Sequence, residues 1–275
     1  MRAKTSADRK PSLSPTRITT YLECAVKYRY VYIDKIGRFY LRSRAGYSFG
    51  STLHRVLQEF HDRGAQHTVE ELAEEVDRRW IPAGYESAAQ ELEQRETGRT
   101  IVEAYHEAHK VRTEEKVETV ATEKTISFDM GRFKLTGRVD RIDRHADGRL
   151  EIVDYKSGRL ETSSGEVLNS LAMSCYQLIL GKLHPGTPVM ATIYCLRSGS
   201  QASASLQGDA LIQFERDIRM LGDQILDTEY ARLEPVPVPA CPDCDFLPRC
   251  ERFWRRQAEE ARWENFDAPH SEHGL

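Results

Sequence analysis

The chain has 275 residues, of which 40% are hydrophobic and 30% are charged, and its formal net charge is −4. This length allows one large packed domain or two small ones, and the negative charge argues against a polycation that coats nucleic acid nonspecifically. The sequence contains neither the roughly 20-residue apolar run of a membrane span nor the apolar stretch of a signal peptide. We therefore expect a cytoplasmic protein with no membrane partner.

The first predicted element is a helix that follows a polar N-terminal arm. Residues 1–12 contain Lys, Arg, Ser and Pro without periodicity, which predicts disorder. Ser14 and Pro15 are typical of an N-cap and a first helical residue, and apolar side chains recur after them at helical spacing. Cys24 lies on this helix, where an isolated cysteine is ordinarily a small buried residue.

A second helix is predicted in the segment GSTLHRVLQEF, which begins at Gly50 and contains His54. A lone helical histidine is more often a surface or core-edge residue than a metal ligand. Residues 64–119 are then helical and strongly charged. We interpret them as an inserted helical layer with a solvated face, and the alternative is a surface that guides DNA. Strands follow from Val117 onward.

The most informative stretch is a predicted β-hairpin. Apolar residues recur at near period two over 135–144 and over 149–156. The Asp147-Gly148 pair between these runs is typical of a tight hairpin turn. Because residues equidistant from the turn face each other, the turn also predicts the register of the two strands.

This register brings two carboxylates together. Asp140 should lie opposite Asp154, and the two-residue period puts Lys156 on the same face as Asp154. Adjacent carboxylates repel each other unless they share a proton or bind a divalent cation, and oxygen ligands favour Mg²⁺ or Mn²⁺. Lys156 would then orient a water molecule or neutralise charge on a phosphate. The alternative is a solvated hairpin with surface charges, which is the commoner outcome for an isolated Asp-x-Lys.

Beyond the hairpin, the sequence predicts a helix over 165–183, an apolar strand after Pro188 and a helix over 209–228. A proline-rich segment then leads to three cysteines with the spacing C-x2-C-x5-C, namely Cys241, Cys244 and Cys250. In a reducing compartment such cysteines are thiols or metal ligands rather than disulfides. A fourth ligand is missing locally, and a zinc ion would take it from His270 or His273.

The central motifs resemble those of a known family. GRVDRID followed by IVDYKSG resembles the motifs of the PD-(D/E)XK nuclease superfamily, in particular its RecB-like branch. The resemblance implies an α/β (α+β) fold, a restriction-endonuclease-like mixed β-sheet flanked by helices. It also implies that Asp140 and Asp154 bind the metal and that Lys156 assists the attacking water.

The same resemblance extends to other segments. GSTLHRVLQEF resembles the family helix whose histidine is a further metal ligand, which assigns that role to His54. The backbone carbonyl of Tyr155 would complete the coordination. Gln177 matches the first position of a Q-x-x-x-Y motif that supports the site, whereas Gly181 stands at the tyrosine position and Tyr176 is displaced to just before the glutamine.

The N-terminal segment LSPTRITTYLECAVKYRYVYI resembles the opening of RecB-like nucleases, including the AddB subunit and CRISPR-adaptation nucleases. That resemblance implies that Cys24 joins Cys241, Cys244 and Cys250 around a [4Fe–4S] cluster, which staples the two chain ends together. The alternatives are a structural zinc site or unligated thiols.

These observations predict a single nuclease domain over 13–266, with a helical insertion over 64–119, a cysteine-cluster region over 236–263 and a disordered tail over 267–275. The expected function is a metal-dependent DNA nuclease, an exonuclease acting on single-stranded DNA or DNA ends in repair, recombination or defence, with a helicase as a possible partner. One alternative is a catalytically weak DNA-binding or complex-assembly protein that retains the fold. Another is an iron–sulfur redox protein, in which the carboxylate–lysine hairpin would have no role.

Overall fold

The computed structural model describes residues 10–114 and 116–266. The helices are α1 (Pro15–Glu23), α2 (Ala25–Tyr28), α3 (Ala45–Asp62), α4 (Val69–Arg78), α5 (Ala88–Glu114), α6 (Ser164–Asn169), α7 (Leu171–Leu183), α8 (Gly208–Asp227) and α9 (Leu247–Phe266). The strands are β1 (Ser12–Leu13), β2 (Glu118–Asp129), β3 (Lys134–Arg144), β4 (Leu150–Lys156), β5 (Val189–Cys195) and β6 (Gln201–Ala204). None of the described helices is both long and apolar enough to cross a membrane.

The chain divides into two compact units. Unit 1 contains Met1–Ile18 and Ser43–Leu226, and unit 2 contains Thr19–Arg42 and Asp227–Leu275. The single domain predicted over 13–266 therefore contains two separately compact parts. The expected disordered tail over 267–275, and the alternative zinc ligands His270 and His273, lie outside the described residues.

Unit 1 is built on a mixed β-sheet flanked by helices, as predicted. The strand order is β1-β3-β4-β5-β6, with β2 paired to β3. The β3–β4 and β5–β6 pairs are antiparallel, whereas β1 lies parallel to β3 and β4 lies parallel to β5. All residues of β4 except its last are buried, which is typical of a strand covered on both faces.

The predicted hairpin is confirmed. Arg141 pairs with Val153 and Ile142 with Ile152, and this register extended by one position puts Asp140 opposite Asp154, as predicted from the turn. Gly148 in the turn has a φ of 86°, a conformation that glycine adopts without steric cost. The local turn chemistry therefore sets the alignment on which the site depends.

Three predictions at element boundaries are corrected. Cys24, expected on the first helix, follows the end of α1, and its sulfur caps α2 by accepting the Lys27 N–H. The disordered arm expected over 1–12 is wrong for Ser12, which pairs with Lys134 in the sheet; residues 1–9 lie outside the described part. The helix predicted over 165–183 is interrupted at Ser170, whose side chain accepts the Met173 N–H and caps α7. The expected N-cap at Ser14 is confirmed, because its hydroxyl accepts the Arg17 N–H at 3.3 Å.

The charged helical region over 64–119 contributes to the main core of unit 1. Apolar side chains of α4 and α5, among them Leu72, Val76 and Val102, belong to one buried cluster with Val153 and Tyr155 of β4. Their polar faces carry ion pairs, as the charge pattern indicated. The region thus supports the strand that carries the Asp-x-Lys pair.

Replacing Gly137 with alanine should destabilise unit 1. A Cβ atom at this position would lie 2.3 Å and 2.5 Å from two ring carbons of Tyr176, far closer than a normal contact. The Tyr176 ring or the strand would have to move to relieve this overlap, and such a movement in a packed region lowers the unfolding free energy by about 1–3 kcal/mol. Urea denaturation would measure the loss. Gly181→Ala is the control: its Cβ would meet nothing within 4 Å, so the better helix propensity of alanine should leave stability equal or higher. Equal stabilities for wild type and Gly137→Ala would contradict the packing described here.

Candidate active site

Three elements of unit 1 bring possible metal donors together. His54 projects from α3, Glu123 from β2 and Asp140 from β3, and one ligand atom of each lies within 4.8 Å of the others. The Nδ1 atom of His54 is 3.3 Å from an Asp140 oxygen and 3.6 Å from a Glu123 oxygen. One imidazole and two carboxylates are a donor set that suits a divalent cation.

Glu123 lies in the strand region that was predicted from Val117 onward, and it was not predicted to be part of the site. Its neighbours Thr122 and Lys124 pair with Arg141 and Val139, so Glu123 occupies the position opposite Asp140. Its φ of 43° is unusual for a residue inside a strand and carries a conformational cost of order 1–3 kcal/mol. To find Glu123 from the sequence, one would have had to predict the β2–β3 register, because residues at opposite positions of antiparallel strands share a face.

The backbone of Tyr155 holds two of the donors. Its N–H donates to Asp140 Oδ2 at 2.8 Å, and its carbonyl accepts from His54 Nε2 at 3.2 Å. The Tyr155 side chain points to the other face of β4, where its hydroxyl accepts a hydrogen bond from Arg141 at 2.7 Å. Arg141 is 1% exposed and also pairs with Asp143 at 2.9 Å. This buried polar network therefore holds β4 in place from the face opposite the candidate metal donors.

The predicted Asp-x-Lys pair is present on one face. Lys156 Nζ lies 2.6 Å from Asp154 Oδ2, and no other group among the described residues donates to this buried oxygen. Burial, followed by the charge of Asp140, raises the pKa of Asp154. A buried carboxylate with spare acceptor capacity beside a second carboxylate is a favourable position for a cation.

The electrostatics of His54 also indicate that this site favours a positive charge. Burial disfavours a charged imidazole, yet hydrogen bonds and charges from Asp140 and Glu123 raise the pKa of His54 to about 10. The protonated ring therefore neutralises part of the excess negative charge when no metal ion does so. The site is suited to a positive charge at this position.

Gln177 and Tyr176 lie differently from what the motif implies. Gln177 is buried, and its side-chain oxygen accepts the Leu206 N–H at 2.8 Å, so this contact is to the segment after β6 rather than to the donor set. Tyr176 packs on Gly137, and burial together with the charges of Asp154 and Asp140 raises its pKa. The tyrosine hydroxyl is thus within electrostatic reach of the acidic site. The supporting role of Gln177 stays a prediction.

A cleft of about 420 Å³ opens beside the donor set. It is lined by one face of α3, which includes Tyr47, Gly50 and Arg55, together with Arg138 of β3. Tyr47 is 73% exposed, and Arg138 is paired with Glu123 at 2.6 Å. An added Cβ at Gly50 would lie 2.9 Å from the Ser157 hydroxyl, so the absence of a side chain at Gly50 lets α3 approach Ser157 closely at the wall of the cleft. The cleft combines cationic and aromatic groups next to the carboxylates.

A second group of possible donors in unit 1 is already neutralised. Glu59, His67 and Glu75 have ligand atoms within 4.8 Å of one another. However, Arg79 bridges the two carboxylates, with distances of 2.7 Å to Glu59 and 2.8 Å to Glu75. We therefore place the candidate metal site at His54, Glu123 and Asp140.

In unit 2, the four predicted cluster cysteines line a single apolar pocket. All four are free thiols. Burial, followed by the charges of the other three thiols, raises the pKa of Cys250 to about 11. Backbone N–H groups of Lys27 and Val238 each donate to a sulfur at 3.3 Å, one to Cys24 and one to Cys241. Cys175 and Cys195 are buried in unit 1, as expected for core residues.

Comparisons with known proteins point to one family. A family model described as the PD-(D/E)XK nuclease superfamily matches residues 12–251. A Eubacterium rectale protein described as a "Putative exonuclease" is similar in structure, with a TM-score of 0.53 and 12% identity over 90% of this chain and 94% of that chain. At this identity the similarity indicates the fold alone. SSO0001 gives a TM-score of 0.35 at 12% identity, over 92% of this chain and 89% of that chain, which is too low to indicate a shared fold. No curated protein matches the chain.

Proposed function

Because this chain belongs to the PD-(D/E)XK nuclease superfamily, we propose that it is a metal-dependent deoxyribonuclease whose active site is the acidic site of unit 1. The observation that carries the proposal is that His54, Glu123 and Asp140, which are far apart in sequence, come together in one site. Asp154 lies close enough for the charges of Asp140 and His54 to act on it, and it is paired with Lys156. A structural hairpin does not require buried carboxylates that repel each other. A hydrolytic metal site does.

The residues proposed to hold the ion are His54, Asp140, Asp154 and the carbonyl of Tyr155. Glu123 is added to this set because its carboxylate reaches His54. Bound Mg²⁺ or Mn²⁺ would polarise the phosphodiester and lower the pKa of a coordinated water. The fit is supported by the spare acceptor capacity of the buried Asp154 oxygen and by the raised pKa values of Asp154 and His54.

The other side chains have roles that follow from their positions. Lys156 is 39% exposed, so its ammonium can reach a water or a phosphate oxygen while remaining next to Asp154. Arg55 and Arg138 line the cleft and would contact the phosphates of the strand, and Tyr47 would stack on a base. Gln177 is proposed to support the site indirectly through packing.

We further propose that the enzyme is an exonuclease acting on single-stranded DNA or DNA ends, in repair, recombination or defence. The exposed Tyr47 ring in the cleft supports a single strand, whose bases are free to stack, over a duplex, and the similar Eubacterium rectale protein is described as a "Putative exonuclease". A helicase partner would supply such a strand. A catalytically weak DNA-binding protein of the same fold is the alternative.

The cysteines of unit 2 are proposed to bind a [4Fe–4S] cluster. The support for this proposal is that all four cysteines line one apolar pocket, where thiolates shielded from water can hold a cluster or, as the alternative, a zinc ion. Backbone N–H groups that donate to the sulfurs are also characteristic of cluster sites. The cluster would link the two chain segments of unit 2.

The nuclease proposal is tested by incubating anaerobically purified protein with end-labelled single-stranded or duplex DNA in Mg²⁺, Mn²⁺ or a chelator. We expect cleavage with metal, none with chelator, and loss of at least about a hundredfold in rate for Lys156→Ala. Which label is released first gives the polarity. If DNA is bound but not cut with either metal, the catalytic proposal fails and the DNA-binding alternative replaces it.

A further inference from the structure

One buried arginine lies where the elements that carry the candidate metal donors meet. Arg141 directly follows Asp140 on β3, so its side chain points to the opposite face of the sheet. It is 1% exposed, and one terminal nitrogen of its guanidinium lies within hydrogen-bond distance of side chains from three other elements. The proposed reaction does not use this side chain.

Two contacts of this guanidinium connect β3 to α3 and β4. Arg141 donates to the Tyr155 hydroxyl at 2.7 Å and to His61 Nε2 at 2.8 Å. His61 lies seven residues after His54 on α3, so both histidines are on the same face of this helix. The His54 ring contacts the Tyr155 carbonyl. The helix α3 is therefore attached to the sheet at two points, and one of them is a proposed metal ligand.

Further contacts extend the network to α5 and β2. The Tyr105 hydroxyl of α5 also accepts from Arg141 and lies 2.7 Å from the Tyr155 hydroxyl. Asp143 of β3 pairs with the guanidinium at 2.9 Å and accepts a hydrogen bond from Thr119 of β2 at 3.0 Å. The four elements that carry a proposed metal donor side chain, α3, β2, β3 and β4, are thus joined around one guanidinium.

The physical chemistry of a buried arginine favours a role in geometry over a role in stability. A guanidinium loses its hydration when it is fully buried, and apolar residues of similar volume often replace a buried ion pair without loss of stability. A planar group with donors in fixed directions instead restricts the relative positions of the groups that accept its hydrogen bonds. Arg141 is therefore suited to fixing the spacing between the elements around it.

The backbone of Tyr155 passes this restriction on to the metal donors. Its N–H holds Asp140 Oδ2, and its carbonyl holds Nε2 of His54, which leaves Nδ1 of the ring facing the carboxylates. A displacement of Tyr155 would therefore move both donors. We propose that Arg141 is a positioning residue for the metal site and acts on Asp140 and His54 through Tyr155. This inference rests on the proposed function, because it requires that the ion binds at this site.

The test measures Mn²⁺ binding to the full-length protein, purified anaerobically and without DNA, from the electron paramagnetic resonance signal of free Mn²⁺. Tyr155→Phe keeps the ring and removes the hydroxyl that links β4 to Arg141. It should raise the Kd for Mn²⁺ at least about tenfold, as is typical when a group that orients metal ligands is lost. Asp140→Asn identifies the site, because it should remove this binding.

The matched control is Thr192→Val. Thr192 of β5 is buried, and its hydroxyl donates to the carboxylate of Glu151 at 2.6 Å, near the start of β4 and away from the donors. Valine keeps the shape but removes this buried hydrogen bond to β4. Both variants should have a lower urea midpoint than wild type, whereas Thr192→Val should keep the wild-type Kd for Mn²⁺. Equal weakening in the two variants would show a general effect of loosening the sheet and would overturn the inference.

A second variant changes the arginine itself. Arg141→Lys keeps a positive charge beside Asp143 but loses the planar set of donors, so it should also raise the Kd for Mn²⁺ at least about tenfold. Because this position is fully buried, the result counts only if the variant keeps the wild-type circular dichroism spectrum, and Tyr155→Phe decides otherwise. An unchanged Kd in a folded Tyr155→Phe protein would reject the positioning role.

Cleavage kinetics give an independent readout. In Tyr155→Phe, the Mn²⁺ concentration for half-maximal cleavage should rise by about the same factor as the Kd, while the KM for DNA stays at the wild-type value. The reason is that the network lies on the face of β4 opposite the donors and does not line the cleft. A raised KM for DNA with an unchanged Mn²⁺ requirement would contradict the inference.

Failure of this inference can be distinguished from failure of the proposed function. Mn²⁺ binding that Asp140→Asn removes, together with a wild-type Kd in Tyr155→Phe, rejects the positioning role alone. A wild-type protein that binds no Mn²⁺ at this site and cuts no DNA rejects the proposed function, and the inference falls with it.

Discussion

Asp154→Asn should reduce metal-dependent DNA cleavage by at least about a thousandfold while leaving the metal-free protein at least as stable as wild type. Removing one carboxylate from the proposed ligand set takes away a charge that the ion needs, and a thousandfold corresponds to about 4 kcal/mol of transition-state free energy. Cleavage rates with Mn²⁺ and Mg²⁺ at saturating metal would measure this loss.

The stability half of this prediction follows from the electrostatics of the site. Asp154 is buried and repelled by Asp140, and its pKa is raised for these reasons, so its charged form opposes folding when no metal is bound. Asparagine keeps the shape and removes the charge. Lys156 loses its partner, but its side chain is 39% exposed and water can solvate it.

The matched control is Asp147→Asn at the hairpin turn. Asp147 is exposed, and its side-chain oxygen accepts the Arg149 N–H, a contact that asparagine also makes. This variant should retain wild-type cleavage and stability. An active Asp154→Asn enzyme would remove Asp154 from the catalytic set, and a strongly destabilised one would mean that the Asp154–Lys156 pair is mainly structural.

Cys250→Ala should abolish iron binding and lower the thermal stability of unit 2. If the four cysteines hold one cluster, anaerobically purified wild type should contain about four iron atoms per chain and should show the visible absorbance of an iron–sulfur cluster. Because metal binding free energy is also folding free energy, loss of one ligand should cost several kcal/mol. Iron analysis, absorbance and calorimetry would measure these effects.

The control for this prediction is Cys175→Ala. Cys175 is buried in α7 of unit 1 and takes no part in the cysteine pocket. It should retain iron and absorbance, with a stability loss typical of a small cavity. One zinc ion per chain in wild type would instead support the alternative of a structural zinc site. Full iron retention by Cys250→Ala would remove this cysteine from the ligand set.

The predictions that succeeded rest on short-range patterns. The Asp147-Gly148 turn and the period of two were sufficient to align Asp140 with Asp154 and to put Lys156 on the same face. Ser14 was recognised as an N-cap because capping depends on the next three residues. Each of these features is determined by chemistry within about ten residues, where the chain has few alternative geometries.

The features that were missed depend on contacts between distant segments. Glu123 enters the site through the β2–β3 register and an unusual backbone angle, and Tyr176 reaches it because Gly137 has no side chain. Ser12 joins the sheet through Lys134, more than a hundred residues later. Sequence periodicity carries no information about which distant partner a residue meets.

The amino-acid sequence by itself determined the hairpin, the facing carboxylates with their lysine, the helix carrying His54 and the spacing of three cysteines. Only the tertiary structure decided that Glu123 faces His54, that Gln177 contacts Leu206 and that the charged helices support β4. The physical reason is that turns, caps and alternation are local free-energy preferences. Packing between distant segments is decided by the shape and charge of the whole core.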